Sequence, residues 1–299
     1  MLVVITGATG FLGSRLVSGM LENGHEVVAL KRTSSDLWRL GAVEHHPGIT
    51  FVDVDSVAVE SVFERSQVDA VIHVATNYAR GPRTVSTSSD LIAANLTYPM
   101  AVLSSAIAHG TPLFINTDSY FNKPGKTYNA LQGYSLTKKY FLDWLEHHSD
   151  AIRVVNMRLE HIYGPNDSPD KFVPTLIEQI GRRHVESFAM TSGAQARDFI
   201  HVDDVVAAYL LVLHNFEALS SPGYDHYEIG TGSAITVRDL ALRIKALSGS
   251  PTRIEFGRLL QRADEIPLSV ADAAFSEDYG FAESVTLDQG LRSLLGGNL

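Results

Sequence analysis

Short apolar runs alternate with longer stretches of helical periodicity through the first half of the chain. The runs fall at 2–6, 26–30, 49–54, 70–75, 112–117 and 152–159. Between them the spacing predicts helices over 12–23, 57–66, 89–109 and 135–148. In the first of these, Leu12, Leu16 and Met20 recur at i, i+4 and i+8, with Val17 and Leu21 beside them. That spacing makes one apolar helix face, and Asn23 and Gly24 end it as a C-cap. Strands alternating with helices predict right-handed βαβ crossovers and an α/β fold built on a doubly wound parallel sheet. After Gly164 and Pro165 the alternation weakens. Residues 170–182 read as a helix, 184–200 as short strands and loops, 203–215 as a helix and 227–230 as a late strand. Two further helical patterns cover 236–248 and 286–295.

Ligands of such sheets bind beyond the carboxyl ends of the strands, so the residues that follow each run carry the chemistry. Gly7, Gly10 and Gly13 follow the first run, spaced three apart, and a helix begins inside them. A strand, a glycine turn and a helix N-terminus together suit a dinucleotide pyrophosphate. The glycines let the backbone approach, and the N–H groups at the helix start favour negative charge. Lys31, Arg32, Thr33, Ser34 and Ser35 follow the second run, where an NAD site would carry a carboxylate; the first acid is Asp36. Two cations and three hydroxyls suit the 2′-phosphate of NADP(H); a solvated basic loop is the other reading. Asp53, after the third run, is either an acceptor for the adenine amino group or a surface aspartate. His73, Val74, Ala75 and Thr76 close the fourth run and are expected along the pyrophosphate and ribose, with His73 packed rather than catalytic.

The candidate chemistry is a hydride-transfer site. Tyr134 and Lys138 stand four apart at the start of a helical stretch and so share a face. A free tyrosine, with a pKa of about 10, is a poor acid–base group at neutral pH; a neighbouring ammonium is expected to lower it. The lysine can also hold the nicotinamide ribose. Upstream, Asn116, Thr117, Asp118 and Ser119 end the fifth run, and a hydroxyl there can hydrogen-bond the reacting oxygen of a substrate. The tyrosine exchanges the proton and the cofactor the hydride.

Composition narrows the classes. The chain of 299 residues has room for a nucleotide-binding core and a smaller second region. It contains no cysteine, which excludes disulfides, thiolate metal sites and cysteine nucleophiles; no metal centre is predicted. A net charge of −10 argues against a broad nucleic-acid surface, though a local basic pocket stays possible. No stretch reads as approaching the roughly 20 apolar residues that span a bilayer, and no membrane partner is expected. With a strand starting at Leu2 no signal peptide is expected, and the expected location is cytoplasmic.

As a set, the motifs resemble the extended short-chain dehydrogenase/reductase family over nearly the whole chain. They are GATGFLG from Gly7, HVA from His73, the segment at Thr117, YSLTK from Tyr134, RLEHIYGP from Arg158, RDFIHVDD from Arg197 and RADEIPLSVAD from Arg262. The resemblance implies a Rossmann domain over 1–165 and 201–232, a substrate-binding region over 166–200 and 233–299, and nucleotide sugars as substrates. It implies Thr117, Tyr134 and Lys138 as the catalytic triad. The cofactor would lie against Gly7, Thr9, Gly10, Phe11, Leu12, Gly13, Lys31, Arg32, Thr33, Asp53, Val54, Val74, Ala75 and Thr76. Asn95, at the start of a helix bordering the active site, and Leu159 and Ile162 would complete that surface, with Tyr134 and Lys138. Tyr78, Asp118, Ser119, His161 and Phe172 would line the substrate with Thr117, and Arg197 and Arg262 would clasp its diphosphate.

Two departures refine this. The family's sugar 4,6-dehydratases carry a glutamate base where Ser119 stands, and a serine cannot replace it. His161 replaces a frequent asparagine and is either a substrate contact or a histidine packed behind Tyr163. The segments NTDSYFN from Asn116 and HVATNYAR from His73 most resemble deoxysugar 4-ketoreductases. The expected activity is NADPH-dependent reduction of the C4 keto group of a nucleotide-linked 4-keto-6-deoxysugar. A 4-epimerase retaining NAD, a reductase of a small non-nucleotide carbonyl and a non-catalytic NADP sensor are the rival readings. The family implies a homodimer through helices near 90–109 and 135–148; the same apolar faces could equally be core.

Overall fold

Each of the six apolar runs forms a strand, and the computed structural model orders them into one sheet. It describes residues 1–78, 84–123, 131–219, 221–261 and 265–296. In chain order the first elements are β1 (Leu2–Thr6), α1 (Phe11–Glu22), β2 (Glu26–Lys31), β3 (Ile49–Asp53), α2 (Glu60–Arg65), β4 (Ala70–His73), α3 (Val85–Ile92), α4 (Tyr98–Ala108), β5 (Leu113–Ser119), α5 (Gln132–His147) and β6 (Arg153–Leu159). There follow β7 (His161–Tyr163), α6 (Phe172–Leu176), β8 (Ser187–Ala189), β9 (Ala196–His201), α7 (Val202–His214), β10 (Gly223–Ile229), β11 (Ala234–Thr236), α8 (Val237–Ser248), β12 (Arg253–Glu255), β13 (Leu268–Ser269), α9 (Ala274–Tyr279) and α10 (Leu287–Leu294).

Contacts divide the chain into two compact units: residues 1–124, 129–158 and 206–227, and residues 125–128, 159–205 and 228–299. The first holds the seven-stranded sheet, ordered β10-β6-β5-β4-β1-β2-β3. β3, β2, β1, β4 and β5 pair in parallel. Buried on both faces, such strands can be apolar throughout; Val3, Val4, Ile5, Ala70, Val71 and Ile72 are fully buried. The chain winds outward from β1 in one direction and from β4 in the other. That reversal opens the crevice at the carboxyl ends of these two strands, where ligands of doubly wound sheets bind. The register aligns Thr6, His73 and Asn116 across β1, β4 and β5, so the glycine turn, residues 74–76 and residues 117–119 emerge together. Val4, Val71, Phe114 and Val154 of the sheet pack with Val102, Leu103 and Ala106 of α4 and Phe141 and Leu145 of α5.

One predicted helix, 89–109, is instead α3 and α4 joined by a π-helical turn at Ala93–Thr97. A π-turn adds a residue to the turn and re-aims the side chains around it. Asn95 therefore sits inside a continuous helical stretch and does not begin a helix. That stretch, Val85–Ala108, also has the length and apolar composition of a bilayer span, which the reading of the sequence missed. Its residues Val102, Leu103 and Ala106 belong to the core of the first unit.

The second unit is made of shorter pieces. β9 lies between β11 and β13 and also pairs with β7, and β8 pairs with β12. Its core brings together Leu176, Ile180, Phe199, Leu240, Ile244 and Leu291.

Candidate active site

The β1–α1 turn makes a close backbone cradle. Gly7 has φ +65°, and a Cβ there would stand 2.7 Å from the Ala75 nitrogen. A Cβ at Gly13 would stand 2.1 Å from the Gly7 carbonyl oxygen, so only glycine lets α1 start this close beneath the turn. Gly10 caps α1 and offers no side-chain acceptor, which leaves the positive end of the helix to an anion. Thr6 fixes the facing segment. Its hydroxyl accepts from the nitrogens of Val74 and Ala75, both at 3.1 Å, and lies 2.8 Å from His73 Nδ1. With its acceptor sites taken, Thr6 donates to Nδ1, which assigns His73 the neutral Nε2–H tautomer. Burial, with Lys138 second, holds the His73 pKa well below the usual imidazole range. His73 is thus a packed residue, stacked on Phe114.

At the far end of the cradle, Lys31 Nζ lies 3.6 Å from Asp53 Oδ2, and Thr33 Oγ1 donates to the same oxygen at 2.7 Å. Asp53 is therefore engaged by the loop predicted to hold a 2′-phosphate, and its pKa is lowered, first by Thr33. Arg32 is exposed, its backbone nitrogen held by Ser35 Oγ. The β2 and β3 ends are tied together, with Val54 next in line and half-buried.

Tyr134 and Lys138 are both buried on α5. Lys138 Nζ donates to the Thr117 carbonyl at 2.5 Å, which joins α5 to the end of β5. The Tyr134 ring meets Tyr78 edge-on, with centroids 5.1 Å apart. Burial, then the Asp118 carboxylate, pushes the Tyr134 phenol well above its ordinary value; hydrogen bonds from Ser119 and Thr76 offset this only in part. The expectation that Lys138 lowers the phenol is thus overturned: desolvation outweighs any ammonium effect. Burial brings Lys138 itself down to about 8, against an upward push from Asp118.

Three supports hold these residues, of which the sequence singles out Asn95 alone, as a cofactor contact. Asn95, buried in the π-turn, accepts from Asn77 N at 2.6 Å and Thr76 Oγ1 at 3.2 Å. It donates to the Asn77 carbonyl and to Thr137 Oγ1 on α5. Its amide thereby pins the segment after β4 to the helix that carries Tyr134 and Lys138. Arg158 Nε donates to Asp118 Oδ2 at 2.9 Å, and Asn122 donates to Oδ1 at 2.7 Å. Arg158 inside the apolar strand β6 was the available signal, since a charge inside a sheet needs a partner. Tyr209 on α7 meets the Thr117 hydroxyl at 2.7 Å.

The sequence pattern of the NAD dependent epimerase/dehydratase family matches residues 3–230. The chain belongs to the NAD-dependent epimerase/dehydratase family. It is an NAD(P)-dependent oxidoreductase, and the glycine cradle above fits the pyrophosphate of the nicotinamide cofactor used in this family. A CDP-abequose synthase of Salmonella typhimurium is 32% identical over 299 residues, covering 98% of this chain and 97% of that protein. A Bacillus subtilis UDP-glucose 4-epimerase is 26% identical over 92% of this chain and 89% of its own length. Among solved folds, the Thermotoga maritima UDP-glucose 4-epimerase superposes with a TM-score of 0.83 at 22% identity, over 99% of this chain and 98% of its own.

The predicted residues Leu159, His161, Ile162, Phe172 and Arg197 lie in the second unit. Leu159 is buried and Ile162 half-buried. Phe172 is exposed. His161 Nδ1 lies 3.8 Å from Glu160 Oε2, and its ring meets Phe199. Arg197 is buried and paired with Glu265. Arg262 lies outside the described residues.

Proposed function

We propose that the chain reduces the C4 keto group of a nucleotide-linked 4-keto-6-deoxysugar with NADPH. The observation that carries this reading is the placement of Tyr134, buried on α5 four residues before Lys138, which bonds the Thr117 carbonyl at the end of β5. Burial, with the Asp118 carboxylate second, keeps the phenol protonated, so the free enzyme carries the proton that a developing alkoxide takes. Reduction of a ketone needs a proton donor, whereas an epimerase must begin by removing one. The similarity to CDP-abequose synthase, whose name gives a CDP-linked sugar as product, supports the substrate class.

When bound, the nicotinamide would supply the hydride. Gly7, Gly10 and Gly13 would hold its pyrophosphate with Thr9, Phe11 and Leu12 around them, and Val74 to Thr76 would run along it. Tyr134 protonates the oxygen that develops at C4, and the Thr117 hydroxyl hydrogen-bonds the same oxygen. The buried Lys138 ammonium adds positive charge beside it. Ser119 hydrogen-bonds the phenol and has no carboxylate to remove a carbon-bound proton, which disfavours elimination. Tyr78, Phe172, His161, Arg197 and Arg262 are the residues proposed for substrate recognition, the arginines at the diphosphate. We also propose that the active form is a homodimer, since Leu136, Tyr140 and Trp144 form a half-exposed stripe on α5.

The test is NADPH oxidation with CDP-, dTDP-, GDP- and UDP-linked 4-keto-6-deoxysugars. One nucleotide series is expected to be turned over in preference; no oxidation with any of them, and NAD released on denaturing a fresh preparation, would favour the retained-cofactor epimerase. The cofactor assignment rests on Arg32, the exposed cation of a loop whose Lys31 already faces Asp53. Arg32→Ala is expected to weaken NADPH binding by about tenfold or more, the scale of one charge-assisted phosphate contact, and to leave NADH unchanged. Equal losses for the two nucleotides would remove the assignment.

A further inference from the structure

We infer that Tyr209 is a positioning residue that fixes the Thr117 hydroxyl as a hydrogen-bond donor toward the substrate oxygen. The inference rests on the reading of Thr117 given above. Tyr209 is fully buried on α7, in a run of apolar residues where the hydroxyl has no packing value. Its oxygen lies 2.7 Å from Thr117 Oγ1, and either hydroxyl could donate. Burial decides the direction. A buried O–H needs an acceptor, and among the described residues the Thr117 oxygen is the one within reach. Thr117 is only half-buried, at the open end of β5, so its own proton has somewhere else to go.

A threonine hydroxyl has one proton and two acceptor sites. Once Tyr209 fills an acceptor site, the Thr117 proton points away from α7. Donation from the phenol also polarises the threonine and makes it a stronger donor, as in other hydrogen-bond chains. Tyr209 touches neither substrate nor cofactor in this proposal; it acts through Thr117. No proton is transferred along the pair, and only the orientation of the second hydroxyl is set. The Lys138 contact to the Thr117 carbonyl holds the backbone of the same residue. Main chain and side chain of Thr117 are thus fixed by two different helices.

The experiment is a double-mutant cycle read in kcat and KM with the nucleotide sugar that the wild type reduces. Tyr209→Phe is expected to lower kcat about tenfold, the worth of one hydrogen bond felt in the transition state, with KM unchanged. Tyr209→Met, which also lacks the donor but has a different shape, is expected to match it. Thr117→Ala is expected to lose about a hundredfold, as for other donors to a developing oxyanion. Thr117→Ala/Tyr209→Phe is expected to be no slower than Thr117→Ala alone, because the second change acts only through the first. A Tyr209→Phe enzyme with wild-type kcat, or losses that multiply in the double variant, would overturn the proposal while the role of Thr117 stood. A loss that follows side-chain volume, with Met much slower than Phe, would overturn it too. Wild-type kcat in Thr117→Ala would instead overturn the underlying reading of that residue.

Discussion

Tyr134→Phe is expected to cut kcat by about 10²–10⁴, the usual range for loss of an acid–base group, while NADPH affinity stays near the wild-type value. The measurement is steady-state NADPH oxidation at saturating sugar, with cofactor binding followed by fluorescence. The size of the loss follows from the environment. The phenol is buried on α5, so in the proposed reaction bulk water replaces its proton poorly. Phenylalanine keeps the ring packed against Tyr78 and removes only that proton. The pH profile gives a companion readout. Burial lowers Lys138 to about 8, so its ammonium is present below that pH and lost above it. The wild-type kcat/KM, which reports the free enzyme, is expected to fall on the alkaline side from about pH 8. Lys138→Met should remove that limb. A Tyr134→Phe variant with wild-type turnover would end the assignment of the phenol as the acid.

The parts that the chain announces are those in which one local pattern has one physical solution. Leu2 to Thr6, followed by glycines at 7, 10 and 13, reads as strand, cradle and helix because no other residue fits where a Cβ would meet the Gly7 carbonyl or Ala75. The doubly wound sheet follows from six apolar runs separated by helical ones. What stays hidden depends on partners distant in sequence. β7, β11, β12 and β13 are two or three residues long, too short for any periodicity. The π-turn at Ala93–Thr97 leaves the apolar spacing of its helix intact, so nothing local marks it. The clamp made by Asn95 becomes visible only when α5 lies against it. Tyr209 looks like one more apolar residue of α7 until Thr117 is opposite its hydroxyl. The direction of the Tyr134 shift is hidden for the same reason. The Tyr–Lys spacing is legible in the chain, whereas the depth of burial and the Asp118 carboxylate are properties of the fold.

Asp118 also sets the largest effect expected on stability. Arg158→Met should destabilise the first unit by about 3–5 kcal/mol, the range for removing one partner of a buried ion pair. The carboxylate of Asp118 is wholly buried and the Arg158 side chain nearly so, 2.9 Å apart. Removing the guanidinium leaves a negative charge that keeps the Asn122 hydrogen bond but loses its ion-pair partner, in surroundings that hold Tyr134, Tyr209 and Tyr224, each pushed up by burial first and by that charge as well. Thermal melts should show a midpoint lowered by roughly 6–20 °C, from the dependence of midpoint on free energy in chains of this order of size. The double variant Arg158→Met/Asp118→Leu should recover most of the loss, because well-packed apolar residues often replace a buried pair without penalty. A single variant that melts with the wild type would mean that the Asp118 charge is solvated rather than buried. A double variant as unstable as the single one would assign the loss to packing around Arg158 instead of the stranded charge. With the pair intact, Arg158 and Asn122 hold the Asp118 carboxylate at the end of β5 from two sides.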